Sequence, residues 1–358
     1  MILINGNFLC RNLTGIERYA FEVLKILDEL ISPSDNIRLL VPKNARIIPE
    51  FKQIKTILSA KSIKSFPRWD LLYFSKECKR NHATGLNFSN TAPFGKNCGI
   101  AFLHDIYAKD FPNDFTSKKD KLIKLYCRMN YWNIAKNAEK IITVSEFAKQ
   151  RIMSTYNVKE ERISVIPNGW EHIKAVTEDA SIFNRFSELK RKEFYFTLGS
   201  LSKRKNLKWI ADYAEKHTED VFAVSGKAIS GLVAPELEKL KELKNVVLLG
   251  YVSDAEVKAL MKACKAFVFP SYYEGFGIPP LEALSVGTPV VIAREACLPE
   301  IYGKAAHYLD IKDTDRSLTS ILAEPAEPSA AVLEKYTYRH AAEKLYGVLK
   351  EQEAKHNA

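Results

Sequence analysis

Strand-length apolar runs alternate with helical patterns along most of this chain, and that alternation limits the fold more than any single residue does. Runs of this kind stand at Met1 to Ile4, Ile37 to Val41, Ile54 to Ile57, Ile100 to Leu103, Ile141 to Val144 and Ile163 to Ile166. Between the first two, Ile16, Tyr19, Ala20, Val23, Leu24, Leu27 and Leu30 make one stripe at helical spacing. Strands that alternate with helices predict parallel sheets covered on both faces. The pattern loosens through a polar segment from Trp170 to about Glu193. It restarts at Phe194 to Leu198, Val221 to Ser225, Val246 to Leu249, Ala266 to Phe269 and Val290 to Ile292. A single core seldom grows past ~250 to 300 residues, so a chain of 358 residues with 46% hydrophobic content suits two domains. We place them at residues 1–172 and 173–336, each an α/β domain with a doubly wound parallel sheet. A last helical pattern, Tyr338 to Gln352, occupies residues 337–358.

The chemistry concentrates between Ala266 and Ile292. The apolar run stops at Pro270, a loop carries Glu274, Gly275, Phe276, Gly277 and Ile278, and Pro279-Pro280 fix a helix start with Glu282 expected in its first turn. Glycines let backbone approach a ligand closely, and amides beside a helix N-terminus favour negative charge. Glu282 is suited to accept hydrogen bonds from a vicinal diol such as a ribose, while Glu274 faces whatever hangs from the phosphates. That is the logic of a nucleotide-sugar site. The same residues also suit a tight turn with an acid complementing the helix dipole.

Glu-x7-Glu in this context, followed by Gly287-Thr-Pro-Val-Val, resembles the signature of the retaining glycosyltransferases of family 4, which have the GT-B fold. Other pieces fall in the family's order: Thr14-Gly15-Ile16-Glu-Arg-Tyr19, His104-Asp105, Thr143-Val-Ser-Glu-Phe147, Ile166-Pro-Asn-Gly169, Leu198-Gly-Ser200-Leu-Ser-Lys-Arg204-Lys205-Asn206, Gly250-Tyr251-Val252-Ser253 and Leu298-Pro-Glu300. The resemblance implies two Rossmann-like domains facing an interdomain cleft, with the C-terminal helix crossing back to the first. It implies that His104 contacts the donor sugar, that Glu282 holds the ribose, and that the backbone of Tyr251, Val252 and Ser253 meets the base. The backbone amides of Gly15 and Ile16, at a helix start, could face a diphosphate or an acceptor; a plain helix-start glycine fits them equally. Two adjacent cations at a helix N-terminus oppose its dipole, so Arg204 and Lys205 are read as the diphosphate ligands, with a solvated basic loop as the alternative. Many relatives carry an Arg directly after the glycine, where this chain has Ser200.

The catalytic set expected is therefore His104, Glu274, Arg204 and Lys205. Departure of a nucleoside diphosphate leaves an oxocarbenium-like centre and gathers negative charge on the leaving group. Cationic side chains and amides would stabilise it without a metal, and no cofactor beyond the donor substrate is expected. Asp313-Thr-Asp315 has a metal-binding spacing, but it precedes a helical pattern, so Asp313 is read as an N-cap and Asp315 as a first-turn acid. By resemblance the donor is GDP-linked mannose or a related hexose. The acceptor is a saccharide, lipid-linked by expectation, in cell-surface polysaccharide or lipopolysaccharide synthesis. A GT-B nucleotide-sugar epimerase and a non-catalytic nucleotide- or carbohydrate-binding protein are the competing readings.

The net charge of +10 is uneven: residues 1–172 hold 27 Lys and Arg against 17 Asp and Glu, whereas residues 173–358 hold 26 of each. No nucleic-acid module accompanies the excess. An anionic membrane surface fits it, because Ser59 to Phe74 interleaves bases with large apolar groups. Lys118, Lys119, Lys121, Lys124 and Arg128 likewise crowd a helical pattern near Tyr126, Tyr131 and Trp132. A solvated face over core aromatics accounts for the same residues equally. No run reaches the ~18 apolar residues of a membrane span, no cleavable leader is evident, and the six cysteines are scattered without zinc spacing. The expectation is a cytoplasmic protein with reduced thiols, peripheral on the inner face of the membrane if the basic half docks there.

Overall fold

The computed structural model describes residues 1–191, 193–199, 202–226 and 237–357. They form two compact units, one of Met1–Asp110, Leu122–Gly169 and Tyr336–Ala358, the other of Phe111–Lys121 and Trp170–Lys335.

The first unit holds a seven-stranded parallel sheet of β1 (Ile2–Asn5), β2 (Ile37–Val41), β3 (Lys55–Leu58), β4 (Thr84–Asn87), β5 (Ile100–Phe102), β6 (Lys140–Thr143) and β7 (Ile163–Val165), in the order β3-β2-β1-β4-β5-β6-β7. The second holds β8 (Phe194–Leu198), β9 (Val221–Ser225), β10 (Val246–Gly250), β11 (Ala266–Phe269), β12 (Val290–Ala293) and β13 (His307–Leu309), ordered β10-β9-β8-β11-β12-β13 and again all parallel. Five helices matter below: α1 (Ile16–Leu30), α2 (Lys118–Asn137), α3 (Leu207–Lys216), α4 (Ile278–Ser285) and α5 (Tyr338–Asn357). The stripe read from Ile16 to Leu30 is the buried face of α1. Its Tyr19, Val23, Leu24 and Leu27 share one core with Tyr338, Ala341, Ala342, Leu345 and Leu349 of α5.

Each sheet has one topological switch point, between β1 and β4 in the first and between β8 and β11 in the second, and parallel sheets bind ligands beyond the carboxyl ends of strands at such points. In the first unit the ends of β1 and β4 carry Asn5 and Asn87. Asn5 donates from Nδ2 to Asn87 Oδ1 (3.0 Å) and to Asp70 Oδ1 (2.8 Å), and accepts from Trp69 Nε1 (2.8 Å). Thr91 Oγ1 donates to Asp70 Oδ2 at 3.0 Å and Asn7 Nδ2 to Oδ1 at 3.3 Å. Burial pushes the Asp70 carboxyl up to about 6, and the hydrogen bonds from Asn5, Thr91 and Asn7 offset only part of that. A carboxyl raised this way contributes stability fully present below its unfolded value of 3.8 and lost as pH rises through about 6. The unfolding free energy of wild type relative to Asp70→Asn should therefore improve by ~2–3 kcal/mol as pH falls from 7 to 4, measured by urea melts.

The segment from Ser59 to Phe74 divides its aromatics. Trp69 and Phe74 fill a core with Leu3 and Leu40, while Leu71, Leu72 and Tyr73 of a π-helical turn, Trp69–Phe74, stay exposed. Two strands had escaped the apolar pattern, β4 and β13. All six cysteines are free thiols, four of them buried.

Candidate functional site

In the second unit, the carboxyl ends of β8 and β11 lead into the two segments the sequence singled out. After β8 the described chain resumes as a 3-10 turn, Lys203–Lys205, and Asn206 in the left-handed region then opens α3. After β11 comes the loop from Pro270 to Gly277. The two are joined through Tyr272 N, which donates to Arg204 O at 3.0 Å, and through Ser271, whose Oγ lies 2.9 Å from the same carbonyl.

Glu274 is the centre of this junction. It is 6% exposed, and Lys205 Nζ lies 2.6 Å from its Oε1. Ser271 Oγ donates to that oxygen at 2.6 Å, and Arg204 approaches Oε2 at 3.8 Å. Burial alone would raise the Glu274 carboxyl, but Lys205 and Arg204 outweigh it and hold the group below its usual value. Lys205 is fixed too. Its ammonium sits 4.5 Å from the centroid of the Phe269 ring, and a side chain at Gly199 would crowd its stem, because a Cβ there would stand 3.0 Å from Lys205 Cε. The two cations read as diphosphate ligands thus share the buried acid read as the sugar ligand, a pairing across 69 positions that no local pattern announces.

Gly275, Phe276 and Gly277 are buried, and Gly277 is the N-cap of α4 with φ 86°. A Cβ on Gly277 would stand 2.8 Å from Leu298 Cδ2. The loop is held from below by Tyr302, whose hydroxyl donates to Gly277 O, and by Cys297, whose thiol donates to Glu274 O at 3.2 Å. The Tyr302 hydroxyl is raised well above its ordinary value, first by burial, then by Cys297, Glu282 and Glu274, so both acids of the motif act on one buried phenol. Glu282 itself needs a correction. Ile278 is the first residue of α4, so Glu282 begins the second turn rather than the first, too far along to serve chiefly as a dipole complement. Its Oε1 lies 2.8 Å from His172 Nε2. His172 went unnoticed in the sequence, where nothing links it to a glutamate 110 positions later.

Ser200 lies outside the described residues. Tyr251 is exposed, Val252 buried, and Ser253 is the N-cap of the helix Asp254–Ala263, its N–H donating to Glu256 Oε2 at 2.8 Å in a capping box. The Ser-x-x-Glu spacing could have revealed that cap. Asp313 is not a cap of the following helix: Ser317 is, and Asp313 Oδ1 accepts from the amides of Asp315 and Arg316 in a preceding turn. Asp315 instead pairs with Lys216 at 2.6 Å.

The remaining candidates lie in the first unit. Gly15 is the N-cap of α1 with φ 51°, a conformation that favours glycine. His104 is 5% exposed, stacked on Phe102 and edge-on to Tyr19, and its Nε2 pairs with Phe88 O at 2.8 Å as donor in the neutral tautomer. Burial lowers its pKa, against the opposing pull of Phe88 O and Asp105, which favours the uncharged ring.

Two family profiles match this chain: "Glycosyl transferases group 1" over residues 179–352 and "Glycosyltransferase Family 4" over residues 87–172. The chain belongs to the glycosyltransferases of family 4. Among similar proteins, O-antigen chain mannosyltransferase RfbU of Salmonella typhimurium is 30% identical over 228 residues, 63% of this chain and 60% of that protein. O-antigen chain mannosyltransferase B of Escherichia coli is 29% identical over 196 residues, 52% of this chain and 51% of that protein. The matches thus span half to three fifths of these relatives. Sucrose-phosphate synthase from Thermosynechococcus elongatus superposes with a TM-score of 0.72 at 16% identity, covering 99% of each chain, a likeness of fold. The architecture of this family 4 member is GT-B, an α/β fold with two Rossmann-like parallel-sheet domains.

Proposed function

We propose that this protein moves a hexosyl group, mannosyl in the first instance, from a nucleotide-sugar to a saccharide acceptor, retaining configuration and using no metal. The observation that carries the reading is the buried Glu274 bracketed by Lys205 and Arg204 at the switch point of the second sheet. Two cations joined to one acid cost little to keep in place, and they present positive charge where a diphosphate leaving group would accumulate negative charge. Arg204 stands 3.8 Å from the carboxylate against 2.6 Å for Lys205, so Lys205 is the closer partner of Glu274. Glu274 then orients the sugar, and the acceptor hydroxyl attacks the face the diphosphate vacates, its proton passing to a phosphate oxygen. The O-antigen chain mannosyltransferases among the relatives support mannose as the sugar and an O-antigen saccharide as the acceptor; the GDP donor and the lipid-linked acceptor are part of the proposal.

The test is a panel of nucleotide sugars with and without EDTA, in the presence of lipid-linked acceptors. Nucleoside diphosphate release that survives EDTA is expected. Loss of turnover with EDTA overturns metal independence, free epimerised donor selects an epimerase, and binding without turnover selects a non-catalytic protein.

The membrane part of the proposal rests on α2. Its Leu122, Leu125, Met129 and Trp132 recur at helical spacing and are 68%, 56%, 48% and 51% exposed, while Tyr131, grouped with them on sequence, is buried. Exposed Lys121, Arg128 and Lys136 lie on the same helix, Lys136 over the Trp132 ring at 4.8 Å. An apolar stripe edged with bases matches an anionic bilayer. No described helix is long and apolar enough to cross one. Lys121→Glu with Arg128→Glu should lower co-sedimentation with phosphatidylglycerol vesicles at least ~10-fold; unchanged binding removes the electrostatic argument.

A further inference from the structure

His172 sits in a short 3-10 turn, Glu171–Ile173, with side-chain hydrogen bonds anchoring the chain before and after it. Trp170 Nε1 donates to Leu333 O at 2.9 Å, and Ile173 is 2% exposed. Lys258 Nζ donates to the carbonyls of Ile173 (2.9 Å), Lys174 (3.3 Å) and Val176 (2.7 Å), tying the end of the turn to the helix Asp254–Ala263. The His172 side chain is 4% exposed and that of Glu282 12%, with 2.8 Å between Nε2 and Oε1. An imidazole fixed by this turn therefore grips the end of a glutamate side chain, which by itself would have three free torsions. Glu282 in turn stands on a buried stretch of α4, with Ser285 Oγ donating to its carbonyl at 2.6 Å.

We propose that His172 is a positioning residue: it holds the Glu282 carboxylate in the one orientation that accepts both vicinal hydroxyls of the donor's ribose. A carboxylate offers about four lone-pair directions, so an N–H from His172 takes one and leaves enough for a diol. The inference rests on the nucleotide-sugar reading of this site and adds to it the group that sets the ribose contact. It also explains why a buried acid one turn inside a helix keeps a partner before any donor arrives. The histidine limits the cost of burying the charge and pre-organises the contact.

Calorimetry with GDP and with UDP, each against its 2′,3′-dideoxy analogue, tests this directly. For the nucleotide that binds, wild type should prefer the ribose form by ~10- to 100-fold, the worth of charge-assisted hydrogen bonds. His172→Phe keeps a ring but no donor and should lose most of that preference while binding the dideoxy form as wild type does. His172→Gln places an amide nitrogen near the position of Nε2 and should keep the preference within ~3-fold. Thermal melts show that each variant is folded. If His172→Phe weakens both forms equally, its role is structural and the proposal fails. If Glu282→Gln erases the preference and His172→Phe does not, Glu282 keeps its ribose contact and the role of His172 falls. A wild type without preference removes both, and a wild type that binds neither nucleotide removes the nucleotide-sugar reading itself.

Discussion

Lys205→Met should cost the protein ~3–5 kcal/mol of stability at pH 7 and lower diphosphate release ~10²- to 10³-fold. Methionine keeps the volume of the lysine stem but leaves Glu274 with Ser271 at 2.6 Å and Arg204 at 3.8 Å as its partners in this junction. Breaking a buried pair on one side strands the other charge, which is why the cost exceeds that of a surface ion pair. The pH dependence has a defined sign. In wild type the Glu274 carboxyl is held below 4.5, so the stability it contributes is present above 4.5 and lost as pH falls through the lower folded value. In the variant burial dominates and the carboxyl protonates more readily, so the deficit relative to wild type should shrink between pH 7 and pH 4. Urea melts across that range measure the first effect, and donor turnover the second. A variant as stable as wild type at pH 7, and within ~3-fold of its activity, would remove the buried pair from both roles.

Gly277→Ala is the second large effect. A left-handed backbone costs a residue with a side chain ~1–2 kcal/mol, and the new methyl would also push Leu298, which is fully buried. A loss of ~2–4 kcal/mol follows, a fall in melting temperature of roughly 5–12 °C for a unit of this size. Activity should fall further than stability explains. Gly277 O receives the Tyr302 hydroxyl, and a shift there moves the loop that carries Glu274 and the start of the helix that carries Glu282. Comparing kcat/KM for the donor at a temperature where the variant is fully folded separates the two contributions.

Much of the fold was legible because buried parallel strands advertise themselves as unbroken apolar runs. Ile37–Val41, Phe194–Leu198, Val221–Ser225 and Ala266–Phe269 lie where the pattern put them. β4 was invisible for a physical reason. Thr84-Gly-Leu-Asn87 has one apolar side chain because Gly85 lets the backbone pass Phe74, whose ring a Cβ would approach to 3.0 Å, and because Asn87 serves the polar network at the switch point. The Glu-x7-Glu loop was legible as a local spacing. The Lys205–Glu274 and His172–Glu282 pairs were not, since tertiary structure alone brings those positions together. Tyr131, left open between an interfacial and a core ring, is buried, because composition reports what a helix contains and not which way each ring turns.

One consequence follows from α5 completing the core against α1. The first unit is assembled from segments that precede and follow Trp170–Lys335, the bulk of the second unit. During synthesis its sheet can form early, but the apolar flank of α1 stays uncovered until residues 338–357 leave the ribosome. A fragment ending near residue 169 would expose that flank permanently and should aggregate. α5 acts as a late closure, and damage to it would be read by the cell as failure of a helix encoded some three hundred residues earlier.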